Sequence, residues 1–402
     1  VGGFVSGTAG AVTIGTGNLL QYVGGGETSD RMIRLVGSNA TINASGAGPL
    51  VLENVVNADG TSKTLYLTGR SGFDNTIASN LSGTMSLNVA VGSRWILSGS
   101  NTMVGSATLN AGAQLGFGSD AAGGFTSMTN GAGVFAAGGD RTLAGRLATH
   151  FVGEYSITMT SPQVMGSLVL DIPSATGKVV TFNADLSRAA GDRMIIDGDG
   201  HMVVNGNLTS LNGLYPRTRT AGATIWINGT YTGGPFLLQA GITSISSTAA
   251  LPDGGLGGKW SVNPGAGLIV GNAVSDTDFD TIRTTGTWAS GSYVGFDTSA
   301  GNRDYGGTIT GLRGLTKIGT GTLTLSGSNS YSTATVVREG TLRLGVAGAL
   351  PTTGPVSLVS NGFGSGSLDL AVSATTSGAV TVSGSSSAIF GVGTLTAASY
   401  TF

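Results

Sequence analysis

Residues 314–345 read GLTKIGTGTLTLSGSNSYSTATVVREGTLRLG. Leu323 and Leu325 alternate with Thr322 and Thr324, so one face of the run is apolar and the other hydroxylated. That is the period of a half-buried strand. Ser326-Gly327 ends the run, and Ser328-Asn329-Ser330 supplies turn chemistry. Asn tolerates left-handed backbone and Ser bonds its own backbone. Thr335-Val336-Val337 is a second β-prone run, Glu339-Gly340 turns the chain again, and Thr341-Leu342-Arg343-Leu344-Gly345 alternates once more. The stretch predicts short strands joined by glycine-led turns.

The rest of the chain repeats this plan more loosely. Ser98-Gly99-Ser100-Asn101-Thr102-Met103 aligns without a gap on Ser326-Gly327-Ser328-Asn329-Ser330-Tyr331, and the register holds until Gly112 falls on Gly340. Trp95-Ile96-Leu97 takes the place of Leu323-Thr324-Leu325. A weaker echo covers residues 193–206, and short alternating runs such as Thr64-Leu65-Tyr66-Leu67-Thr68 recur from the start of the chain. A strand–turn unit of this size cannot bury its apolar face alone, whereas stacked units bury a continuous core. The expected fold is therefore all-β: a parallel right-handed β-helix (β-solenoid) with coils of roughly 20 residues. One continuous solenoid is expected over residues 1–402. Stretches near 119–165, 207–222 and 276–311 break the rhythm and read as insertions or irregular segments, with Pro216, Arg217 and Arg219 in a projecting loop.

Composition points the same way. The chain has 402 residues, 71 of them Gly, and only 10% are charged. Glycine this abundant without a G-X-Y period is not collagen. Frequent Val, Ile and Leu in alternating runs, with little charge, is the reverse of a disordered composition. No window of a dozen residues carries a 3.6-residue apolar stripe, so almost no helix is expected. The net charge of −2 gives no electrostatic case for nucleic acid or an anionic membrane. There is no Cys, which removes disulfides, thiolate metal sites and thiol catalysis. No run of 18 apolar residues forms a transmembrane segment. Val1 in place of Met, without a signal peptide, predicts a processed or truncated form.

The opening stretch resembles the passenger-associated transport repeat, also called the autotransporter-associated β-strand repeat. The matching residues are Gly314-Leu315-Thr316-Lys317, Gly319, Gly321-Thr322-Leu323-Thr324-Leu325-Ser326-Gly327, Asn329, Tyr331, Gly340-Thr341-Leu342 and Leu344-Gly345. Asp304-Tyr305-Gly306-Gly307-Thr308-Ile309-Thr310-Gly311 resembles the lead-in common before that repeat. The sequence departs at Ser332-Thr333, where a Gly pair is common, and both are turn-formers. The resemblance implies a secreted bacterial surface protein on a parallel β-helix, with the repeat associated with passenger export and folding.

On this reading the expected function is non-enzymatic: extracellular structural or surface material, or an adhesin. Unpaired strand edges at solenoid ends predict a homo-oligomer or polymer, as a fibre or surface layer. A surface polysaccharide or host ligand is the other expected partner. The alternatives are a passenger fragment without self-assembly, and a β-helix polysaccharide lyase or hydrolase.

Few residues carry candidate chemistry. Asp276, Asp278 and Asp280 would share one face of a strand, where three carboxylates are a calcium candidate; a solvated acidic edge or loop is the stronger reading. Asp197-Gly198-Asp199-Gly200 has a similar composition but reads as turn chemistry. His150 and His201 are the two histidines. No G-x-S-x-G or H-E-x-x-H accompanies them, so a structural place for His201 is favoured. No cofactor or catalytic residue is indicated. Trp95, Trp226, Trp260, Trp288 and Tyr293 would stack on sugar rings if exposed in a row, though such residues more often fill a core.

Overall fold

The structure, a computed structural model, describes residues 10–69, 72–119, 122, 127–130, 134–137, 141–143, 150–152, 156–160, 163–164, 168–188, 193–218, 222–255 and 257–402. The chain forms two compact units, Val1–Asp171 with Thr181–Ala184, and Ile172–Val180 with Asp185–Phe402. Each is a β-solenoid of parallel strands.

In the first unit a coil has three faces. Ile33–Leu35, Asn39–Ala44 and Leu50–Leu52 make one coil. Val55–Asn57, Lys63–Thr68 and Asn75–Ile77 make the next. Alternation decides which side chains turn inward. Ile42, Leu67, Val89 and Leu109 stack in register as one buried column. Thr41, Tyr66, Asn88 and Thr108 form the neighbouring outward column. Each fully buried Leu or Ile contributes roughly 1.5–3 kcal/mol, and stacking is what makes that burial available. Residues paired on successive coils of this unit lie from 16 to 25 apart, on either side of the 20 expected.

The second unit follows the same plan. Met194–Gly198, His201–Val204 and Leu208–Ser210 form one coil. Leu214–Thr218, Thr224–Ile227 and Tyr231–Gly233 form the next.

The two copies of the repeat have the same internal geometry. Asn101 accepts a hydrogen bond from Leu81 N at 2.9 Å and donates to Ala122 O at 2.8 Å. Asn329 accepts from Ile309 N at 2.8 Å and donates to Ala349 O at 2.7 Å. Each amide therefore ties its own coil to the one before and the one after, inside a buried corner. Gly112 and Gly340 both adopt left-handed backbone, with φ of 68° and 66°, a conformation glycine takes without steric cost. The repeat at 314–345 is richer in strands than the sequence indicates. Gly314–Ile318 and the two-residue Ser330–Tyr331 join Thr322–Leu325, Thr335–Val337 and Gly340–Leu344.

The three irregular stretches turn out differently. Residues 207–222 hold two strands, Leu208–Ser210 and Leu214–Thr218, where a projecting loop was expected. Pro216 is accommodated because the ladder bulges beside it: Leu214 faces Phe236, but Arg217 faces Ala240. A residue without an N–H fits such a break. Arg219 lies outside the described residues. Residues 276–311 contain an α-helix, Asp276–Thr285, and then return to strands such as Tyr293–Asp297 and Arg303–Tyr305. Within 119–165 the strands Ser127–Asn130, Val134–Ala137 and His150–Val152 keep parallel register with their neighbours. Glu154 and Tyr155 lie outside the described residues.

One sheet of the second unit is buried on both faces. All described residues of Ile242–Ile245, Gly314–Ile318 and Thr335–Val337 are buried, although alternate ones point outward. Outward-facing Ile242, Ile269 and Ile318 form their own apolar cluster, against which Trp226 packs. The outer face of this sheet is thus closed in, and its margin forms the candidate site.

Candidate functional site

Register places Trp226, Ser244, Ile269, Gly295 and Thr316 in one outward column of five successive coils. Gly295 is required there, since a Cβ would overlap the backbone of Thr316. The column lets a large indole lie over coils that follow it in sequence. Trp226 Nε1 donates to Asp297 Oδ2 at 2.8 Å, 71 residues away. Ser244 Oγ donates to the same oxygen at 2.9 Å. Ser299 donates its N–H and its hydroxyl to Asp297 Oδ1. A carboxylate has about four acceptor positions, so Asp297 is saturated, and its side chain positions Trp226.

Trp226 separates two cavities. One, of about 230 Å³, is lined by Ser244, Ser246, Asn272 and Asp297. The other, of about 330 Å³, is lined by Val179, Val203, Glu339 and Phe363. Trp226, Asn228 and Ser299 border both. Phe363 meets Trp226 edge to face, with ring centroids 5.7 Å apart and planes at 75°. His201 lies beneath both rings, 4.6 Å from Phe363 and 5.6 Å from Trp226.

His201 is held by backbone alone. Its Nδ1 accepts from Thr224 N at 3.1 Å, so the proton sits on Nε2, which faces Ser174 O and Asn361 O at 3.0 Å each. Burial pushes its pKa below the ordinary histidine value, and the ring is neutral. Through Asn361 it anchors the turn that carries Phe363. The structural place expected for His201 is what the geometry shows. Glu339 reaches the same turn, with Oε2 accepting from Gly319 N at 3.2 Å and Asn361 Nδ2 at 3.3 Å.

Lys317 lies at the inner corner of these coils, fully buried. Its ammonium donates to Gly319 O at 2.7 Å, Glu339 O and Thr298 Oγ1 at 2.8 Å, and Ile318 O at 3.2 Å. Desolvation brings its pKa down to about 7, against the opposing pull of Glu339 and Asp297.

The aspartates singled out in sequence take a different setting. Asp276, Asp278 and Asp280 lie on the helix, not on a strand, so residues two apart do not share a face. Ser275 caps the helix, accepting from Asp278 N at 3.1 Å and donating to Asp278 Oδ2 at 2.7 Å. Asp276 pairs with Arg303 at 2.6 Å. Asp280 pairs with Arg283 at 2.7 Å and accepts from Tyr305 Oη at 2.6 Å. The three carboxylates serve separate partners. Among the described residues, no group of three or more His, Cys, Asp or Glu side chains is placed to hold a metal ion. Asp197, expected in a turn, lies within the strand Met194–Gly198, where it pairs with Arg217 at 2.9 Å, and only Asp199 sits in the turn before His201–Val204. The side chain of His150 lies outside what the structure describes.

The aromatic residues divide as well. Trp95 and Trp260 are core, each 1% exposed. Trp288 is half-buried under the Arg313 guanidinium, 4.9 Å from its ring centroid. Of the four tryptophans, Trp226 alone borders these two cavities. No local signal in the sequence marks Asp297, Asn228, Glu339 or Phe363 as its neighbours. The Ser275-x-x-Asp278 capping box followed by Phe279 and Ile282 was a readable helix signal.

The family model for the passenger-associated-transport-repeat matches residues 92–113 and 315–344. The chain is similar to the adhesin BmaC autotransporter of Brucella suis biovar 1 (strain 1330), with 29% identity over 369 residues, covering 77% of this chain and 10% of the relative. The chain thus spans about a tenth of that relative's length. No solved structure matches it. The two matched segments are the two copies in which Asn101 and Asn329 tie three coils together, and this chain carries two copies of the passenger-associated-transport-repeat on a parallel β-solenoid.

Proposed function

We propose that this chain is part of an autotransporter passenger that adheres at a bacterial surface without catalysing a reaction, and that the groove beside Trp226 is its contact site. The observation that carries this reading is the saturation of Asp297. The carboxylate in the groove accepts from Trp226, Ser244 and Ser299, which leaves no position for proton transfer. A glycosidase needs two working carboxylates flanking its substrate. Here Asp297 is occupied as a positioning group, and one oxygen of Glu339 is tied to the backbone and to Asn361. His201 has both ring nitrogens engaged by backbone atoms. The repeat and the similarity to an adhesin autotransporter agree with export and surface display.

The test is adhesion. Bacteria displaying the chain through an unrelated anchor are expected to bind epithelial monolayers more than bacteria with the anchor alone, and the Trp226→Ala variant, displayed equally, to lose the gain. Equal adhesion with and without the chain overturns the reading. So does release of reducing ends from polysaccharides by the purified chain.

A further inference from the structure

The hydrogen-bond accounting of the groove is one-sided, and it defines a ligand. Trp226 Nε1 and the hydroxyls of Ser244 and Ser299 all donate to Asp297. Ser246 Oγ donates to Asn228 O at 3.0 Å. Asn228 Nδ2 donates to Asn205 Oδ1, and Asn272 Nδ2 to Gly301 O, both at 2.8 Å. Each of these donor groups is therefore engaged inside the protein, with one N–H of the exposed Asn228 amide left over.

Acceptors are left over. Asn272 Oδ1 is buried with no partner. The exposed Asn228 Oδ1 makes no bond within the protein, its amide being engaged through Nδ2. Glu339 is held through Oε2, which leaves Oε1 beside the larger cavity. Leaving the buried Asn272 Oδ1 without a donor is costly, and a ligand that supplies the missing proton recovers that cost, while Asn228 Oδ1 and Glu339 Oε1 offer further acceptors beside it. Between these acceptors stands the Trp226 ring, locked by Asp297 and buttressed by Phe363 and His201.

We propose that this groove binds an uncharged glycan, and that it reads sugar hydroxyls as hydrogen-bond donors. A pyranose carries an apolar C–H face and a rim of hydroxyls. The first matches a rigid indole, and the second matches orphan acceptors on both of its sides. Uronic or sialic acids are disfavoured, because a carboxylate meets the carboxylates Asp297 and Glu339 there. Cavities of about 230 and 330 Å³ limit the contact to a short oligosaccharide segment. The proposal rests on the adhesive reading above and names its ligand class.

The experiment is isothermal titration of the purified 402-residue chain with maltotriose, cellotriose and mannotriose. Trigalacturonate and trilysine serve as charged comparisons. At least one neutral trisaccharide is expected to bind and to change Trp226 emission, with trigalacturonate at least tenfold weaker. Asn228→Ala, at an exposed position, is expected to weaken binding about tenfold with an unchanged circular dichroism spectrum. Failure of all three neutral sugars overturns the proposal. So does equal or tighter binding of trigalacturonate or trilysine, or an Asn228→Ala variant that binds as well as the parent. If displayed chain still adheres to cells stripped of glycans, the adhesive reading stands and the glycan assignment falls.

Discussion

Trp226 Nε1 and Asp297 Oδ2 are joined by a 2.8 Å hydrogen bond across 71 residues of chain. The bond exists because three coils of register bring the end of one strand under the indole of another. Asp297 is 5% exposed, so its bonds are made out of water, and hydrogen bonds to a charged group are worth about 1.5–3 kcal/mol. Asp297→Asn keeps the shape but turns two acceptor positions into donors that face other donors. It is expected to lower the unfolding free energy by about 2 kcal/mol and to shift Trp226 emission. Urea unfolding followed by fluorescence checks both, and a variant as stable as the parent refutes the positioning role.

The repeat asparagines give a second expectation. Asn329→Ala leaves Ile309 N and Ala349 O inside the stack without partners, at about 1–3 kcal/mol per group. A loss of about 2–6 kcal/mol is expected, and a loss of similar size for Asn101→Ala, since its bonds are the same two. Denaturant midpoints measured on each variant decide the matter. A change under 1 kcal/mol at both positions would falsify the claim that these amides clamp the coils.

Gly112 and Gly340 separate backbone conformation from space. Both have positive φ. A Cβ at Gly112 meets nothing closer than 3.9 Å, whereas one at Gly340 would overlap Gly319 O. Gly112→Ala is expected to cost only the left-handed penalty, about 1–2 kcal/mol. Gly340→Ala adds a collision with backbone and is expected to cost clearly more. Thermal unfolding of the two variants side by side tests the order, and equal losses would contradict the crowding described at Gly340.

Lys317 makes stability depend on pH in a direction opposite to that of an ion-paired lysine, whose folded pKa is raised. Its pKa falls from 10.5 in the unfolded chain to about 7 in the folded one. Between those values the unfolded state binds more protons, so stability rises with pH across that window. The full difference corresponds to roughly 5 kcal/mol. Tyr331 has its pKa raised by burial, which works the other way above pH 10, so pH 7 to 9.5 is the range to measure. His201, with its pKa lowered, adds a loss of stability below about pH 6.5. The urea midpoint is expected to climb from pH 7 to 9.5 in the parent. Lys317→Met should be less stable throughout and lose that climb; a variant that retains it assigns the slope to another group.

Much of the fold was legible because its causes are local. Thr322–Leu325 alternates in burial as its Thr-Leu pattern requires, and Ser-Gly-Ser-Asn marks a turn in both copies. The helix differs from the expectation because Asp276, Asp278 and Asp280 alternate as a strand would, while the cap at Ser275 and the apolar pair Phe279 and Ile282 direct the segment into helix. The strand through Pro216 was missed because a bulge in the neighbouring coil, absent from the local sequence, makes room for it.

The candidate site was hardly legible at all. Trp226 was one of five aromatic residues of equal standing. Its difference from Trp95 lies in which face of a sheet each occupies and in what covers that face. By itself, the sequence determined the strand–turn period, the inward and outward sets, and the positions where glycine or asparagine must turn a corner. These follow from side-chain alternation and backbone conformation within a few residues. Only the tertiary structure decided that one outer face closes in, that Asp297 lies beneath Trp226, and that His201 holds the turn bearing Phe363. Those contacts depend on register summed over many coils and on sheet curvature. A change of one residue in any coil between them would separate the partners and leave each local pattern as it was.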